Sequence, residues 1–299
     1  MSKKIARSIG IHDGVFHADE VTACAMLIFF DQADADKIVR ARDEKKLVHC
    51  EFVCDVGGVY DPANKLFDHH QATYRGELSS AGMVLEYLKQ QRIVAAEEAD
   101  FLHYMLVKGV DDHDNGRSPQ IPGTTLFSHV IANFAVTTYG ASSEEMDGAF
   151  HQALDFCIGH LRRLLERHRY NRECRKVVER AMQEGKQCLM FDEAIPWVEN
   201  FFALQGKNHP ALFVVMPAGP HWKLRGIPPD DEHRMQVRLP LPEDWAGLLG
   251  EDLQRASKMK GAVFCHKGRF TSVWETKEDA LLALKEVLRR NGIQQEDTF

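Results

Sequence analysis

The sequence predicts an α/β protein, with a mainly parallel sheet flanked by helices in its first part and a smaller mixed α/β domain at its end. Short apolar runs alternate with helical patterns over the first third of the chain, which is typical of a parallel sheet covered on both faces. Polar clusters follow the predicted strands, and beyond residue 187 the pattern changes to short strands and Pro-containing turns. These observations predict a first domain at 1–142, a long connecting helix at 143–186 and a second domain at 187–299.

Apolar periodicity places the elements of the first domain. The predicted strands are Ile5–Ile11, Lys37–Arg42, Glu51–Asp55 and Lys65–Phe67. The predicted helices are Ala18–Phe30, Ala81–Gln91 and Glu97–Lys108. Because ligands of such sheets bind beyond the carboxyl ends of the strands, the polar residues after each strand are the first candidates for a functional site.

The connecting segment at 143–186 lacks Pro and repeats apolar residues every three or four positions, which predicts a long helix with enough apolar surface for a possible homodimer. Between His160 and Arg180 it carries eight basic residues, Arg162, Arg163, Arg167, Arg169, Arg172, Arg175, Lys176 and Arg180. We interpret this face as solvated, and a wall that binds a polyanion is the alternative. In the second domain we predict strands at Ala211–Met216 and Met235–Leu239 and a helix at Lys277–Arg290.

Composition and charge narrow the class of protein. The net charge of −7 over 299 residues disfavours a protein that coats nucleic acid with its whole surface. The seven Cys contain no C-x-x-C pair, so neither a disulfide framework nor a zinc ribbon is indicated. The longest apolar run, Ala23–Phe30, is far shorter than the roughly 18 residues that a membrane span needs. We therefore expect a soluble, cytoplasmic protein with no membrane partner.

Four clusters of His and Asp follow one another in the first domain. They contain His12, His17 and Asp19, then Asp55, then Asp68, His69 and His70, and finally Asp111 and Asp114. Taken singly, each cluster has a structural alternative, because carboxylates are favoured at helix N-termini and the Asn115-Gly116 pair is a strong turn signal. These alternatives leave the two His of the first cluster unexplained.

Taken together, the clusters indicate metal chemistry. Histidine nitrogens mixed with carboxylates suit Mn²⁺, with Mg²⁺, Co²⁺ or Zn²⁺ as alternatives. A carboxylate able to bridge, with ligands on either side, indicates two divalent ions roughly 3.5–4 Å apart, an arrangement that favours in-line phosphoryl displacement. A Ser or Cys nucleophile with a His partner stays open, although the sequence has no G-x-S-x-G motif.

The order of the clusters, H-x4-H-x-D, then Asp, then D-H-H, then a further Asp, resembles the DHH phosphoesterase superfamily, which includes RecJ-like exonucleases, nano-RNases and family II inorganic pyrophosphatases. The segments IHDGVFHADEVTACAML, CDVGGVYDP, FDHHQ and LSSAGMVLEYL more closely resemble the MYG exonuclease family (melanocyte-proliferating-gene family, an uncharacterised-protein family in older naming). The similarity continues through WKLRGIP, RLPLPEDWAGLLGEDLQRAS and GAVFCHKGRF, so that it covers the chain from about Ile9 to Leu288.

The resemblance implies a role for each cluster residue. The metal ligands that it implies are His12, His17, Asp19, Asp55, His69 and Asp111, with Asp114 as the alternative to Asp111. Asp55 would bridge two divalent ions, and Asp19 would bind the second one. His70 would contact the phosphate during catalysis, and Asp68 would orient a histidine ring. His17 stands where much of the superfamily has Asp, and a His at this position matches the MYG pattern.

In the second domain the resemblance implies substrate binding by His266, Lys267, Gly268 and Arg269. The structural alternative is that Lys267 and Arg269 are solvated turn charges. The chain departs from the family at a Gly-rich ending, where a glycine pair is replaced by Ser272-Val273. Because paired glycines let a backbone approach phosphate closely, we expect a substrate-facing loop that differs at this point.

The resulting functional prediction is a metal-dependent phosphodiesterase, a 3′–5′ exonuclease on RNA or short oligonucleotides, in which a two-ion site activates the attacking hydroxide. The first domain would hold the ions and the second would close over the substrate. Two alternatives stay open: a hydrolase of pyrophosphate or a small nucleotide phosphoester, and a metal-binding scaffold without activity.

Overall fold

The computed structural model describes residues 3–184 and 187–293. The chain forms two compact units, Met1–Glu166 and Arg167–Phe299. Each contains one five-stranded sheet with helices, which confirms the α/β class. Along the chain, the boundary between the two units falls within the helix Ser143–Glu173, whereas the predicted boundaries lie at 142 and 186.

The sheet of the first unit is parallel except at one edge. Its strands are β1 (Ile5–Ile11), β2 (Ile38–Arg40), β3 (Cys50–Cys54), β4 (Tyr60–Asp61) and β5 (Leu66–Phe67). They lie in the order β2-β1-β3-β5-β4, and only β4 is antiparallel to its neighbour. The carboxyl ends of β1, β3 and β5 therefore meet at one edge, which brings together the polar residues that follow them.

The helices of the first unit are α1 (Ala18–Phe29), α2 (Glu44–Leu47), α3 (Ser80–Gln90), α4 (Ala96–Leu102), α5 (Lys108–Asp114), α6 (Phe127–Ala132) and α7 (Ser143–Glu173). Residues 18–27 of α1 are all buried, as expected of a helix in the centre of a core. The core combines α1 with the sheet and includes Ile9, Phe52 and Phe67. These contacts fix α1, and with it the first cluster, against the carboxyl ends of the strands.

The helix predicted at Glu97–Lys108 runs further than expected. A π-helical segment, His103–Val107, joins α4 to α5, and the helical path continues to Asp114. The fourth cluster therefore lies within a helix, whereas the sequence placed it after one. The hydrogen bonds of the π-helical segment span one residue more than those of an α-helix, so the segment sets which side chains of α5 face the core.

The second unit contains α8 (Arg175–Glu184), β6 (Cys188–Met190), α9 (Val198–Ala203), β7 (Phe213–Ala218), β8 (His221–Gly226), α10 (Gly250–Ser257), β9 (Ala262–Cys265), β10 (Thr271–Trp274) and α11 (Lys277–Arg290). The strand order is β6-β7-β8-β10-β9, with β6 and β7 parallel and the other pairs antiparallel. One face of this sheet packs against α10 and α11. The opposite face of β6 and β7 packs against α8 and α9.

The prediction of a strand at Met235–Leu239 is wrong. The segment is an irregular turn, and the side chain of Arg238 explains why. Its guanidinium donates hydrogen bonds to the carbonyl oxygens of Gly206, His209 and Ala211 at 2.6–2.8 Å. Because Arg238 anchors this segment to other loops through its side chain, the backbone forms no strand ladder there.

The basic side chains of the connecting segment are exposed, whereas Leu165, Cys174 and Val178 between them are buried. The long helix predicted at 143–186 is interrupted at Cys174, between α7 and α8. All eight basic side chains from Arg162 to Arg180 are exposed, which both the solvated interpretation and the polyanion-binding alternative require. Within the described residues, no helix has the length and apolarity to cross a membrane.

Candidate metal centre

The first cluster is positioned by the turn between β1 and α1. His12 directly follows β1 and is buried, and the chain turns at Gly14, whose φ of 85° lies in the left-handed region. His17 precedes α1, and its backbone N–H donates to the Glu20 carboxylate at 3.0 Å. Asp19 and Glu20, in the first turn of α1, have no exposed surface. The turn thus brings two imidazoles and two buried carboxylates to one place.

The second and third clusters are joined by the loops after β3 and β5. Asp55 follows β3 with a φ of 56°, a left-handed conformation that Asp tolerates better than most residues. Its backbone N–H donates to the Phe67 carbonyl oxygen at 3.0 Å. The Gly58 N–H donates to Oδ2 of Asp68 at 2.5 Å. These two hydrogen bonds hold the Asp55 and Asp68 side chains at the same edge of the sheet.

The side chains converge in three overlapping groups whose ligand atoms lie within 4.8 Å of one another. The first group contains His12, His17, Glu20 and Asp55, the second Asp55, His69 and His70, and the third Asp19, His69 and Asp114. The carboxylate of Asp55 links the first two groups, since its oxygens lie 3.4 Å from Nε2 of His12 and 3.5 Å from Nε2 of His69. Nε2 of His69 also lies 3.0 Å from Asp114.

The proximity of these groups shifts their pKa values. Burial disfavours the imidazolium of His12, but its contacts with Asp55 and Glu20 outweigh burial and raise its pKa to about 10. Burial likewise opposes charge on His69, and its contacts with Asp114 and Asp55 raise its pKa to about 10. Against its own burial, the two imidazoles lower the pKa of Asp55 to about 2. Complete burial raises the pKa of Asp19 well above its usual range, and the charge of Asp55 adds to this.

The residues present fit divalent cations. Oδ1 of Asp55 and Nε2 of His69 are buried 3.5 Å apart, and despite their close ionic contacts neither atom makes a hydrogen bond of good geometry among the described residues. Polar atoms buried without a hydrogen bond are costly unless a ligand satisfies them. The donor set of imidazoles and carboxylates without thiolate suits Mn²⁺ and comparable ions. Ligation by either raised-pKa imidazole would require loss of its proton.

Asp111 lies apart from the three groups of candidate ligands. Its Oδ1 accepts hydrogen bonds from the backbone N–H and hydroxyl of Ser79 and from the backbone N–H of Gly82, at the N-terminus of α3. A Cβ on Gly82 would collide with the Asp111 carboxylate, so glycine permits this approach. The geometry therefore favours Asp114, the alternative that the sequence left open, over Asp111 as the fourth-cluster ligand.

The N-terminus of α3 also holds Asp19. The Asp19 carboxylate accepts from the backbone N–H groups of Ser80 and Ala81 at 2.9 and 2.6 Å. The Ser79 hydroxyl oxygen lies 2.6 Å from both Asp19 and Asp111. Backbone N–H groups at a helix N-terminus stabilise negative charge, so one helix end fixes both carboxylates.

His70, like His17, is exposed, with 62% of its side chain accessible, whereas His12 and His69 are not. Its Nδ1 lies 2.8 Å from Oδ1 of Asp68, which also accepts from the His70 backbone N–H at 3.0 Å. Asp68 therefore fixes the ring through Nδ1 and leaves Nε2 without a partner among the described residues. His70 also borders a cavity of about 630 Å³, together with His12, His17, Asp19 and Asp55.

The predicted substrate-binding residues of the second unit form the turn between β9 and β10. The Gly268 N–H donates to Nδ1 of His266 at 2.9 Å, and the Arg269 N–H donates to the His266 carbonyl oxygen at 2.8 Å. Lys267 is exposed. The Ser272-Val273 pair lies in β10, so the expectation that it belongs to a loop is wrong. Ser272 is fully buried, and its hydroxyl accepts from Nε1 of Trp274 at 2.8 Å.

Sequence patterns alone miss two residues that contribute to the centre. They assign Glu20 only to the helix N-terminus, yet its Oε1 lies 3.0 Å from Nε2 of His12. They include Ser79 only as part of a family motif, yet it contacts two of the acids. Its position immediately before a helix was the available signal, because Ser is favoured at that position.

Comparisons place the chain among known proteins. The family model described as MYG1_exonuc, Uncharacterised protein family (UPF0160), matches residues 8–288. The chain is 52% identical over 290 residues to the MYG1 protein of Chlamydia muridarum, covering 97% of this chain and 99% of that protein. It is 31% identical over 327 residues to the human protein named MYG1 exonuclease, covering 95% of this chain and 86% of that protein.

A solved structure is also similar. RecJ from Thermus thermophilus in complex with Mn²⁺ aligns at 14% identity with a TM-score of 0.30. The alignment covers 97% of this chain and 53% of that chain, so the present chain spans about half the length of that RecJ.

Proposed function

The chain belongs to the MYG1 family, and on that premise we propose that it is a divalent-metal-dependent phosphodiesterase, a 3′–5′ exonuclease on RNA or short oligonucleotides. The observation that carries the proposal is the position of Asp55. Its carboxylate lies within ligating reach of two separate groups of histidines. A carboxylate so placed can serve two cations at once, which is the arrangement that phosphodiester hydrolysis uses.

The residues divide into two candidate ligand sets. His12, His17, Glu20 and Asp55 would hold one cation, and Asp19, His69, Asp114 and the shared Asp55 would hold the other. Mn²⁺ is our first candidate, since it accepts this mixture of nitrogen and oxygen ligands. The hydrogen bonds from α3 orient the Asp19 carboxylate and favour its ionised form, which supports its assignment as a ligand.

The side chains of the centre also define what the chain itself contributes to the reaction. Bound divalent cations would supply Lewis acidity and lower the pKa of a water molecule. His70 is positioned for a different task, because Asp68 accepts from its Nδ1–H and, in the imidazolium form, its Nε2–H can donate a hydrogen bond to a phosphate oxygen. That donor would stabilise charge that develops on the phosphate during displacement.

The test is hydrolysis of 5′-labelled oligoribonucleotides by the protein purified with Mn²⁺. We expect mononucleotides to be released from the 3′ end by the wild type and not by Asp55→Asn or His69→Ala. An exposed residue of the same unit, Asp36→Asn, is the control and should retain activity. Equal activity of the wild type and both centre variants would overturn the proposal.

A substrate panel decides between this proposal and its alternatives. Turnover of pyrophosphate or of a small nucleotide phosphoester, without turnover of oligonucleotides, would replace the substrate class and keep the metal centre. Binding of two ions with no turnover of any phosphoester would instead identify a scaffold. Oligodeoxyribonucleotides belong in the same panel, since a 2′-hydroxyl contact is what distinguishes RNA from DNA.

A further inference from the structure

One part of the second sheet is basic and is covered by neither apolar core of its unit. Direct cross-strand pairs place Lys223 of β8 beside Val273 of β10, and Val273 beside Phe264 of β9. Arg225, two residues after Lys223, points to the same side of the sheet. On the neighbouring strand β7, the residues paired with these two cations belong to the core under α8 and α9. The face formed by β8, β10 and β9 is thus continuous with the side of β7 that α8 and α9 cover, but it carries cations.

The two cations of this face have no acidic partner. Within residues 3–184 and 187–293, neither Lys223 nor Arg225 forms an ion pair. Nε of Arg225 is buried without a hydrogen bond, and its Nη2 makes a long one of 3.5 Å to the Arg234 carbonyl oxygen. Burial lowers the pKa of both side chains, and their mutual repulsion lowers that of Lys223 further. Partly buried, unpaired cations are costly to maintain unless an anion binds them.

Planar side chains continue from Arg225 across this face and its turn. The Arg225 guanidinium lies 5.6 Å from the ring centre of Phe270, which lies 4.3 Å from that of His266. The His266 ring is followed by Phe264 at 6.2 Å. Phe264 and Phe270 are partly exposed, and neither packs against an apolar core of the unit. Unpaired cations next to accessible aromatic rings are typical of surfaces that bind single-stranded nucleic acid.

We propose that this face, made of Lys223, Arg225, Phe264 and Phe270, binds the backbone and bases of a single-stranded oligonucleotide. Lys223 and Arg225 contact the phosphates, and the rings of Phe264 and Phe270 stack with bases. The proposal rests on the proposed function for the identity of the ligand, and it extends substrate contact beyond the turn at His266–Arg269 to strand β8. This face binds single strands in preference to duplexes, because bases in a duplex cannot stack on protein rings.

The test is the fluorescence anisotropy of a labelled oligoribonucleotide with the full-length protein in EDTA, so that binding is measured without turnover. The double variant Lys223→Gln/Arg225→Gln should bind at least about tenfold more weakly, and its salt dependence should flatten by about 1.4 in slope for two lost phosphate contacts. Phe270→Leu, which keeps an apolar side chain, should weaken binding at least about fivefold. A duplex of the same sequence should compete poorly with the single strand.

The matched control is Arg255→Gln/Lys258→Gln, which removes the same two charges at the end of α10, on the other side of the sheet. It should bind as the wild type does, and circular dichroism should show that all variants fold. Wild-type affinity in the Lys223/Arg225 double variant would overturn the inference, as would equal competition by an acidic peptide. Absence of Mn²⁺-dependent hydrolysis by a wild type that binds single strands would instead overturn only the proposed function.

Discussion

Nδ1 of His70 lies 2.8 Å from Oδ1 of Asp68, and the same oxygen accepts from the His70 backbone N–H. Asp68 is buried whereas most of the His70 side chain is accessible. A buried acid thus fixes an exposed imidazole at one nitrogen and leaves the other free to act. This division of roles explains why two residues of one motif behave differently and leads to the first prediction.

Asp68→Asn should lower kcat about tenfold to hundredfold with little change in KM, because losing a carboxylate that orients a catalytic histidine has effects of that size. Steady-state kinetics on an oligoribonucleotide measure kcat and KM separately. Mn²⁺ affinity should stay near that of the wild type, since Asp68 belongs to none of the candidate ligand groups. A rise in KM alone would show that Asp68 supports substrate binding and not the orientation of His70.

Asp114→Asn and Asp111→Ala should separate metal binding from stability. We expect the first to weaken Mn²⁺ binding with little effect on the unfolding of the protein in EDTA. The second leaves two buried backbone N–H donors at the N-terminus of α3 unpaired, those of Ser79 and Gly82, and should cost about 1.5–3 kcal/mol of unfolding free energy. Isothermal titration with Mn²⁺ and urea unfolding in EDTA measure the two effects. A reversed pattern would identify Asp111 as the ligand.

Ser79→Ala should weaken Mn²⁺ binding about tenfold or more, because the hydroxyl lies 2.6 Å from Asp19 and helps to orient that carboxylate. Ser80→Ala is the matched control. The Ser80 hydroxyl donates to the Phe67 carbonyl oxygen at 2.8 Å and does not contact either acid. Equal Mn²⁺ affinities in the two variants would mean that the Ser79 hydroxyl has no specific role in the centre.

Thr276→Ala should destabilise the second unit by about 1 kcal/mol, because the Thr276 hydroxyl accepts from the Asp279 backbone N–H at 3.1 Å and caps α11. Thr276→Ser, which keeps the hydroxyl, should restore most of the loss. Urea unfolding measures both variants. No difference between the Ala and Ser variants would rule out a contribution from the cap.

Glu286 should contribute to the acid sensitivity of the second unit. Its contacts with Arg289 and Arg290 hold its pKa at about 2, below the value in an unfolded chain. The ionised form therefore stabilises the fold above the unfolded pKa, and that contribution is lost as pH falls from about 5 towards 2. As a surface cluster it is worth no more than about 1 kcal/mol and is weakened by salt. Glu286→Gln should show a smaller loss of unfolding free energy between pH 5 and pH 3.

The sequence predicted the fold class and the convergence of the clusters because both depend on regular periodicity. Strand β1 has the predicted bounds, and the parallel ladder brings the residues after β1, β3 and β5 to one edge. The strand predicted at Met235–Leu239 has the right alternation, but the side-chain anchoring by Arg238 comes from distant loops that no local pattern reveals. Likewise, the choice between Asp111 and Asp114 depends on the rotation of α5, which periodicity alone does not give.

The rotation of α5 follows from the π-helical segment at His103–Val107. A π-turn arises when one residue is inserted into an α-helix. The rotation of α5 therefore depends on the number of residues in this segment and not on the chemistry of their side chains. Deleting one residue there, such as Tyr104, would restore α-helical spacing and turn α5 by about 100° about its axis. Asp114 would then leave His69 although every residue of the fourth cluster remained in the sequence. Which residue of the fourth cluster faces the candidate ligand groups is thus set by a count of residues two to three turns earlier in the chain.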